Sequence, residues 1–307
     1  MQDAALLVCD WGTTNLRAWA LDSTGAVLAA RDFPLGAAKL PRGEAPAAFA
    51  REVRPALGAE HTPALLCGAV GSDHGWTTVP YRDCPATLSD IARGVVEAPD
   101  ADGVRIAPGV RFTGFNGRGD VMRGEETQLF GWLTLHPDKA RGRHMVCHPG
   151  THTKWMVVEE GRLTAFVSTM TGELFAVLTE HSVLRTSAPA DVSDAFDEGL
   201  DAAGNGGGLS ARLFTARARL AGRGAPPKSA ASYLSGLLVG ADVAATPGLL
   251  GFDVSEGVAL LGDQKLCALY ARALQRQDVS VETFDGEAAA VAGLWALHCA
   301  EVPHETR

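Results

Sequence analysis

The chain has 307 residues, 46% of them hydrophobic, with 36 acidic against 27 basic side chains and a formal net charge of −9. That length exceeds one modest core and predicts two domains, here 1–138 and 139–307, while the acidic balance without a dense Lys/Arg stripe excludes a general nucleic-acid binder. No apolar run is long enough to span a bilayer, no basic, apolar leader opens the chain, and six scattered cysteines without a C-x-x-C pair suit reduced thiols in a cytoplasm.

In chain order the elements read as mixed α/β. LLVCDW from Leu6 is an apolar strand, followed by a tight turn at Gly12–Asn15, a second strand, a polar turn at Asp22–Gly25 and a third strand. A helix is predicted over Glu44–Leu57. The strand ALLCGAV over 64–70 runs into Gly71-Ser72-Asp73-His74-Gly75-Trp76, and a strand over Val104–Ala107 precedes a Gly-rich loop, FTGFNGRGD. The segment MRGEETQLFGWLTLH is predicted to be a helix with Glu125 and Glu126 in its first turn, where the macrodipole stabilises negative charge. A strand-turn-strand-turn-strand unit returns from His144, and Met170–Leu174 opens a helix. Asp201–Pro227 is predicted to be a flexible surface connection, because of its glycine clusters. Helix 232–245, strand 257–261, helix 263–275, strand 279–284 and helix 286–298 complete the chain.

The two strand-turn-strand units lie 138 residues apart and match in register: Val8 with Val146, Cys9 with Cys147, Gly12 with Gly150, Thr13 with Thr151. Each turn joins a Gly, which lets backbone approach a bulky anion, to Thr hydroxyls that donate hydrogen bonds. A hairpin turn used once is ordinary. Used twice in register, it predicts two related halves whose turns grip one polyphosphate across a cleft, with Asp10 placed to hold Mg²⁺ directly or through water. There is no Walker A loop, G-x-S-x-G elbow, H-E-x-x-H or EF-hand pattern. His144, His148 and His152 recur every four residues, but Pro149-Gly150 interrupts any helix there, so they are not expected to form a metal-binding face.

Asp10-Trp-Gly-Thr-Thr-Asn15 and His148-Pro-Gly-Thr-His-Thr153 resemble the two phosphate loops of the sugar kinase, Hsp70 and actin superfamily. Within it, DWGTTNLRAW, GAVGSDHGW, VMRGEETQLFG, PGTHTKW, MTGEL and SGLLVGA, in that order, resemble the 2-dehydro-3-deoxygalactonokinase family over essentially the whole chain. The resemblance implies two ribonuclease-H-like (actin-like ATPase) domains that close on ATP and Mg²⁺. It implies phosphorylation of 2-dehydro-3-deoxy-D-galactonate at its 6-hydroxyl in galactonate catabolism. The alternatives are another sugar or sugar acid on the same scaffold, or a non-catalytic nucleotide switch. The implied partners are ATP and a sugar acid, without nucleic acid or membrane; self-association stays open.

The resemblance also implies roles. Gly12, Thr13, Thr14 and Asn15 would meet phosphate from one half, and Gly150, Thr151 and Thr153 from the other. Glu125 would be the general base, with Glu126 in reserve, since a primary hydroxyl needs a nearby carboxylate to accept its proton. Arg17, Arg123 and Lys154 are candidates for the substrate's carboxylate and keto group, with Gly71, Ser72 and Trp76 shaping its pocket. Gly262 and Asp263 resemble the adenosine segment. His148 stands where many superfamily members carry Asp, which leaves Asp10 as the metal carboxylate.

Overall fold

Both faces of the first strand are covered, and its composition explains why. Leu6, Leu7, Val8, Cys9 and Trp11 of β1 (Leu6–Trp11) are fully buried, as an apolar run without alternation requires. The computed structural model describes residues 4–114, 117–204 and 207–301. The turn after β1 is closed by the Gly12 N–H donating to the Asn15 carbonyl at 2.9 Å, and β2 (Leu16–Leu21) and β3 (Val27–Phe33) extend the sheet antiparallel.

The predicted helix over 44–57 is present as α1 (Ala45–Ala48), a π turn at Phe49–Val53 and α2 (Arg54–Ala56). Pro55 has no N–H for the preceding turn, and the widened turn comes just before it. Then β4 (Ala64–Cys67) pairs parallel with β1. This strand stops three residues short of expectation, because Gly68 turns away at φ +92° where a side chain would lie 2.7 Å from the Trp11 carbonyl. After β5 (Arg82–Asp83) and α3 (Leu88–Ala92), β6 (Val96–Glu97) pairs antiparallel with β7 (Val104–Ile106), which lies parallel to β4.

The Gly-rich stretch 112–120 departs from its predicted loop. It carries the facing ends of β8 (Val110–Thr113) and β9 (Gly119–Met122), an antiparallel pair with β5 alongside β8. Glycines obscure the period-two pattern there; Phe115 and Asn116 of that stretch lie outside the described residues. Then α4 (Glu125–Leu135) begins where expected.

The second repeat gives β10 (Arg143–His148), β11 (Thr153–Glu159) and β12 (Arg162–Thr169), followed by α5 (Thr171–His181). The predicted flexible connection over 201–227 is instead mostly helical, spanning the end of α6 (Asp194–Gly204) and α7 (Leu209–Arg223). Alanine, leucine and arginine in 209–223 are strong helix formers, and they outweigh the flanking glycines. Asn205 and Gly206 lie outside the described residues. Next come α8 (Ala230–Leu249), β13 (Val258–Gly262), α9 (Gln264–Gln275), β14 (Val281–Asp285) and α10 (Gly286–Glu301).

The first large sheet has the order β3-β2-β1-β4-β7-β6 and the second β12-β11-β10-β13-β14. Each is a three-stranded antiparallel meander continued by parallel strands, β1-β4-β7 in one and β10-β13-β14 in the other. This shared order is the ribonuclease-H-like arrangement, present twice. Compact unit 1 comprises 1–142, 159–164 and 286–307; unit 2 comprises 143–158 and 165–285. The chain first leaves unit 1 after Gly142, and the last helix returns to unit 1. There α10 packs on α4 through two glycines: a side chain at Gly131 would meet the Ala289 carbonyl at 1.8 Å, and one at Gly293 the Thr127 carbonyl at 2.0 Å. The small residues of GEAAAVAG therefore serve close helix contact. No helix among the described residues is long and apolar enough to cross a membrane.

Candidate active site

In unit 1 the chemistry gathers where β1, β4 and α4 meet. Asp10, at the penultimate position of β1, pairs across the sheet with Arg17 and accepts a hydrogen bond from Gln128 Nε2 at 3.2 Å. Burial raises its pKa, Arg17 opposes that, and the charge of Glu125 raises it further. The following turn leaves Thr13, Thr14 and Asn15 exposed, with Ala37 and Ala38 N–H groups donating to the Gly12 and Thr13 carbonyls behind it. Gly124 has φ +111°, and a side chain there would lie 3.3 Å from the Gly68 Cα. Glycine at both positions lets the start of α4 approach the end of β4 and Asp10.

The two glutamates separate cleanly. Glu126 is fully buried; Oε2 accepts from the Gly124 N–H at 2.8 Å and Oε1 from the Thr127 hydroxyl at 2.9 Å. Burial, then the charge of Glu125, pushes its pKa up to about 7. Glu125 is half-buried, accepts from the Arg123 N–H at 3.2 Å on Oε2, and acts electrostatically on both Asp10 and Glu126. Glu125 is thus the more accessible of the two and the nearer to the Asp10 charge, while Glu126 ties down the start of the helix.

Glu126 also sets a pH dependence. Its folded pKa, about 7, lies above the ordinary value of 4.5, so between these values the unfolded chain binds fewer protons than the folded one. The stabilisation is complete below pH 4.5 and is lost as pH rises through 7. Glu126→Gln removes the charge while its amide oxygen still accepts from the Gly124 N–H, its N–H₂ now donating to the Thr127 hydroxyl oxygen. Thermal melts should show it matching the wild type at pH 5 and exceeding it at pH 8 by about 2 kcal/mol. Equal pH dependence in the two proteins would refute this assignment.

Arg123, just before α4, donates from Nη2 to the Val79 carbonyl at 2.7 Å and lies 4.3 Å over the Tyr81 ring. Its Nε and Nη1 are buried without an acceptor among the described residues. Gly71 gives it room, since a side chain there would meet Nη1 at 2.8 Å. Ser72 spends its hydroxyl proton on the Ala69 carbonyl at 2.7 Å. Trp76 sits in the core, edge-on to Trp11 and Phe49, with its N–H donated to the Pro99 carbonyl at 2.9 Å. It shapes this region from behind, having no free polar atom to offer a ligand.

In unit 2 the matching turn follows β10. Thr151 is exposed, but Thr153 turns inward, its hydroxyl 2.9 Å from that of Tyr270. Lys154 is 4% exposed and, one residue along β11, projects from the opposite sheet face to Thr153. His152 pairs with Glu173 at 2.5 Å, and His144 and His148 lie on a strand, so the three histidines share no helical face. A side chain at Gly172, in the first turn of α5, would meet the Gly150 carbonyl at 2.3 Å, and the Glu173 N–H donates to the Thr151 carbonyl at 2.9 Å. Gly172→Ala would therefore push this turn outward.

Behind the turn lies a cavity of about 290 Å³ with largely apolar walls from α5, α8 and α9, including Phe175, Leu238, Val239, Leu266 and Leu269. Gly150, Thr153 and Asp263 stand at its polar side. Gly262 ends β13 beside the His148 ring, and Asp263 caps α9, accepting from the Lys265 N–H at 2.9 Å and the Leu266 N–H at 3.1 Å. No described cysteine is an activated thiolate: burial pushes Cys84 and Cys267 up to about 12 and raises Cys9, Cys67 and Cys147 as well.

Several participants escaped sequence reasoning. Gln128 was accessible to it, being one helical turn beyond Glu125 on α4. Tyr81 and Tyr270 gave no local signal, because their partners are distant in sequence.

The chain is similar over nearly its whole length to known proteins. Residues 10–297 match the family described as 2-keto-3-deoxy-galactonokinase. A Rhizobium meliloti protein named as a 2-dehydro-3-deoxygalactonokinase, DgoK1, is 35% identical over 94% of this chain and 94% of its own length. The Escherichia coli 2-dehydro-3-deoxygalactonokinase is 33% identical over 96% of this chain and 97% of its own length. A crystal structure from Sinorhizobium meliloti, also named for that activity, superposes with a TM-score of 0.83 at 35% identity, covering 97% of this chain and 99% of its own. A family match over residues 10–297 and full-length relatives at 33–35% identity show that the chain belongs to the 2-keto-3-deoxy-galactonokinase family.

Proposed function

We propose that this protein transfers the γ-phosphoryl group of ATP to the 6-hydroxyl of 2-dehydro-3-deoxy-D-galactonate, in the cytoplasm, as a step of galactonate catabolism. The observation that carries the reading is the grouping in unit 1 of Asp10, the exposed Gly12–Asn15 turn and half-buried Glu125, beside an arginine with unsatisfied N–H groups. In unit 2, the Gly150–Thr153 turn and the apolar cavity behind it suit a polyphosphate attached to a planar, largely apolar base.

Each residue then has a task. Glu125 accepts the proton of the 6-hydroxyl as that oxygen forms its bond to the γ-phosphorus; the bond from that phosphorus to the β,γ-bridging oxygen breaks, and ADP leaves. In unit 1 the exposed Thr13 and Thr14 hydroxyls stabilise charge on phosphoryl oxygens, and in unit 2 the Thr151 hydroxyl and its turn hold nucleotide phosphate. Thr153 contributes its backbone, since its hydroxyl faces inward. Arg123 receives the substrate's carboxylate or keto oxygen, because an oxygen acceptor is what Nε and Nη1 lack. Arg17 remains beside Asp10, where it balances the carboxylate's charge.

The donor set fits Mg²⁺. No group of three or more His, Cys, Asp or Glu among the described residues is arranged around a common point, and Mg²⁺ in phosphoryl transfer takes one or two carboxylates plus phosphate oxygens and water. Asp10 supplies such a carboxylate, and a bound cation would offset the burial that raises its pKa. Held by Asp10, such an ion would supply positive charge to offset the negative charge developing in phosphoryl transfer.

The test is NMR of the product formed from ATP and 2-dehydro-3-deoxygalactonate. Phosphorus coupling to C6 is expected. Coupling to another carbon would place this chain with a different acceptor position, and ATP hydrolysis indifferent to the sugar acid would overturn the kinase reading.

A further inference from the structure

Asp242, on α8, is not part of any loop or motif assigned above, yet its carboxylate accepts five side-chain hydrogen bonds. Its Oδ1 receives Trp155 Nε1 at 3.1 Å and the Thr246 hydroxyl at 2.7 Å. Its Oδ2 receives the hydroxyls of Thr169 at 2.9 Å, Thr171 at 2.8 Å and Tyr270 at 2.7 Å. Asp242 is buried, and all five donors belong to unit 2. They come from four elements: β11, the β12–α5 junction, α8 itself and α9.

The direction of one further bond follows from counting protons. Tyr270 carries a single hydroxyl proton and gives it to Asp242; burial, followed by the charge of Asp242, holds that phenol protonated far above the ordinary tyrosine range. The Thr153 hydroxyl must then be the donor in its 2.9 Å contact with Tyr270. A directed chain runs from Thr153 through Tyr270 to Asp242. Thr153, Thr171 and Tyr270 all line the cavity; Trp155 and Thr246 do not.

We infer that Asp242 is a positioning residue for nucleotide binding: one buried carboxylate fixes the phosphate turn at Thr153, the start of α5 at Thr171 and the α9 wall at Tyr270 in a single register. The inference rests on the cavity of unit 2 being the nucleotide pocket. Apolar packing holds helices and sheet together but leaves a sliding freedom of fractions of an ångström, whereas five directional bonds to two oxygen atoms remove it. Binding pre-organised walls avoids an ordering cost at each encounter, so loss of the hub should appear in affinity for ATP rather than in the chemical step.

Asp242→Asn puts an amide N–H₂ where two or three donors converge, and Tyr270→Phe removes one of the five donors and with it the link to Thr153. The inference predicts a KM for ATP raised about tenfold in the first and about threefold in the second, with kcat within about twofold and the sugar-acid KM unchanged. Thr246→Val, which touches Asp242 away from the cavity, should lower Tm while leaving KM for ATP alone. A purely structural hub would lower active fraction in all three and leave every KM unchanged; that result, or equal shifts in both KM values, overturns the inference. If Asp242→Asn does not fold, Tyr270→Phe against Thr246→Val decides by the same criterion. Leu266→Trp, from a partly exposed wall position, fills the cavity and separates the two levels of the argument, read as ATP binding by calorimetry. Unchanged affinity there means the cavity is not the nucleotide pocket. Weakened affinity there, with wild-type KM in Tyr270→Phe and Asp242→Asn, means that the pocket stands and the positioning role falls.

Discussion

Glu125→Gln is expected to lower kcat by about 10²–10⁴, the usual worth of a positioned general base, while nucleotide affinity stays close to wild type. Two observations select this residue over its neighbour. Glu125 is half-buried and close enough to raise the pKa of Asp10, so a hydroxyl brought to the metal carboxylate also meets Glu125. Glu126 is enclosed, with both oxygens occupied by the Gly124 N–H and the Thr127 hydroxyl. Glu126→Gln should therefore keep most of its kcat, even though its pKa of about 7 looks more suited to a base. A perturbed carboxyl that no substrate can reach accepts no substrate proton. Coupled measurement of ADP release at saturating substrates, with calorimetric ATP binding, reads both variants. Wild-type kcat in Glu125→Gln together with a large loss in Glu126→Gln would exchange the roles.

Asp10→Ala should lower kcat by about 10³ or more, to the detection limit of the same assay, with the fold retained in circular dichroism. The side chain stands at the edge of a fully buried strand, between Arg17 and Gln128, and truncation leaves both without the carboxylate they face. With Asp10 as the proposed Mg²⁺ ligand, a proton and the cation would compete for this carboxylate, because burial and the charge of Glu125 both favour its protonated form. The Mg²⁺ concentration for half-maximal rate in the wild type should accordingly rise as pH falls. Retention of kcat in Asp10→Ala with unaltered Mg²⁺ dependence would remove Asp10 from the mechanism.

What was legible in the chain alone was its repeated local grammar. Apolar strand, Gly-Thr turn and second strand recur 138 residues apart, and local pattern suffices for that, since strand alternation and turn chemistry act over a few residues. The pair of glutamates at a helix start was visible for the same reason. Tertiary packing decided the rest. Glycine clusters hid β8, β9 and the helices over 194–223, whose stability comes from partners such as α8, met by α6 at Gly199 and Gly236. Which glutamate is accessible depended on how closely Gly124 approaches Gly68. That Trp76 packs as a core aromatic depended on Trp11, Phe49 and Pro99 surrounding it. Asp242 had no signal at all: its partners stand up to 87 residues away, and a buried carboxylate is defined by the donors that folding brings to it. Sequence thus specified which turns and carboxylates exist, because those depend on neighbouring residues; burial, proton direction and access arose only where distant segments came into contact.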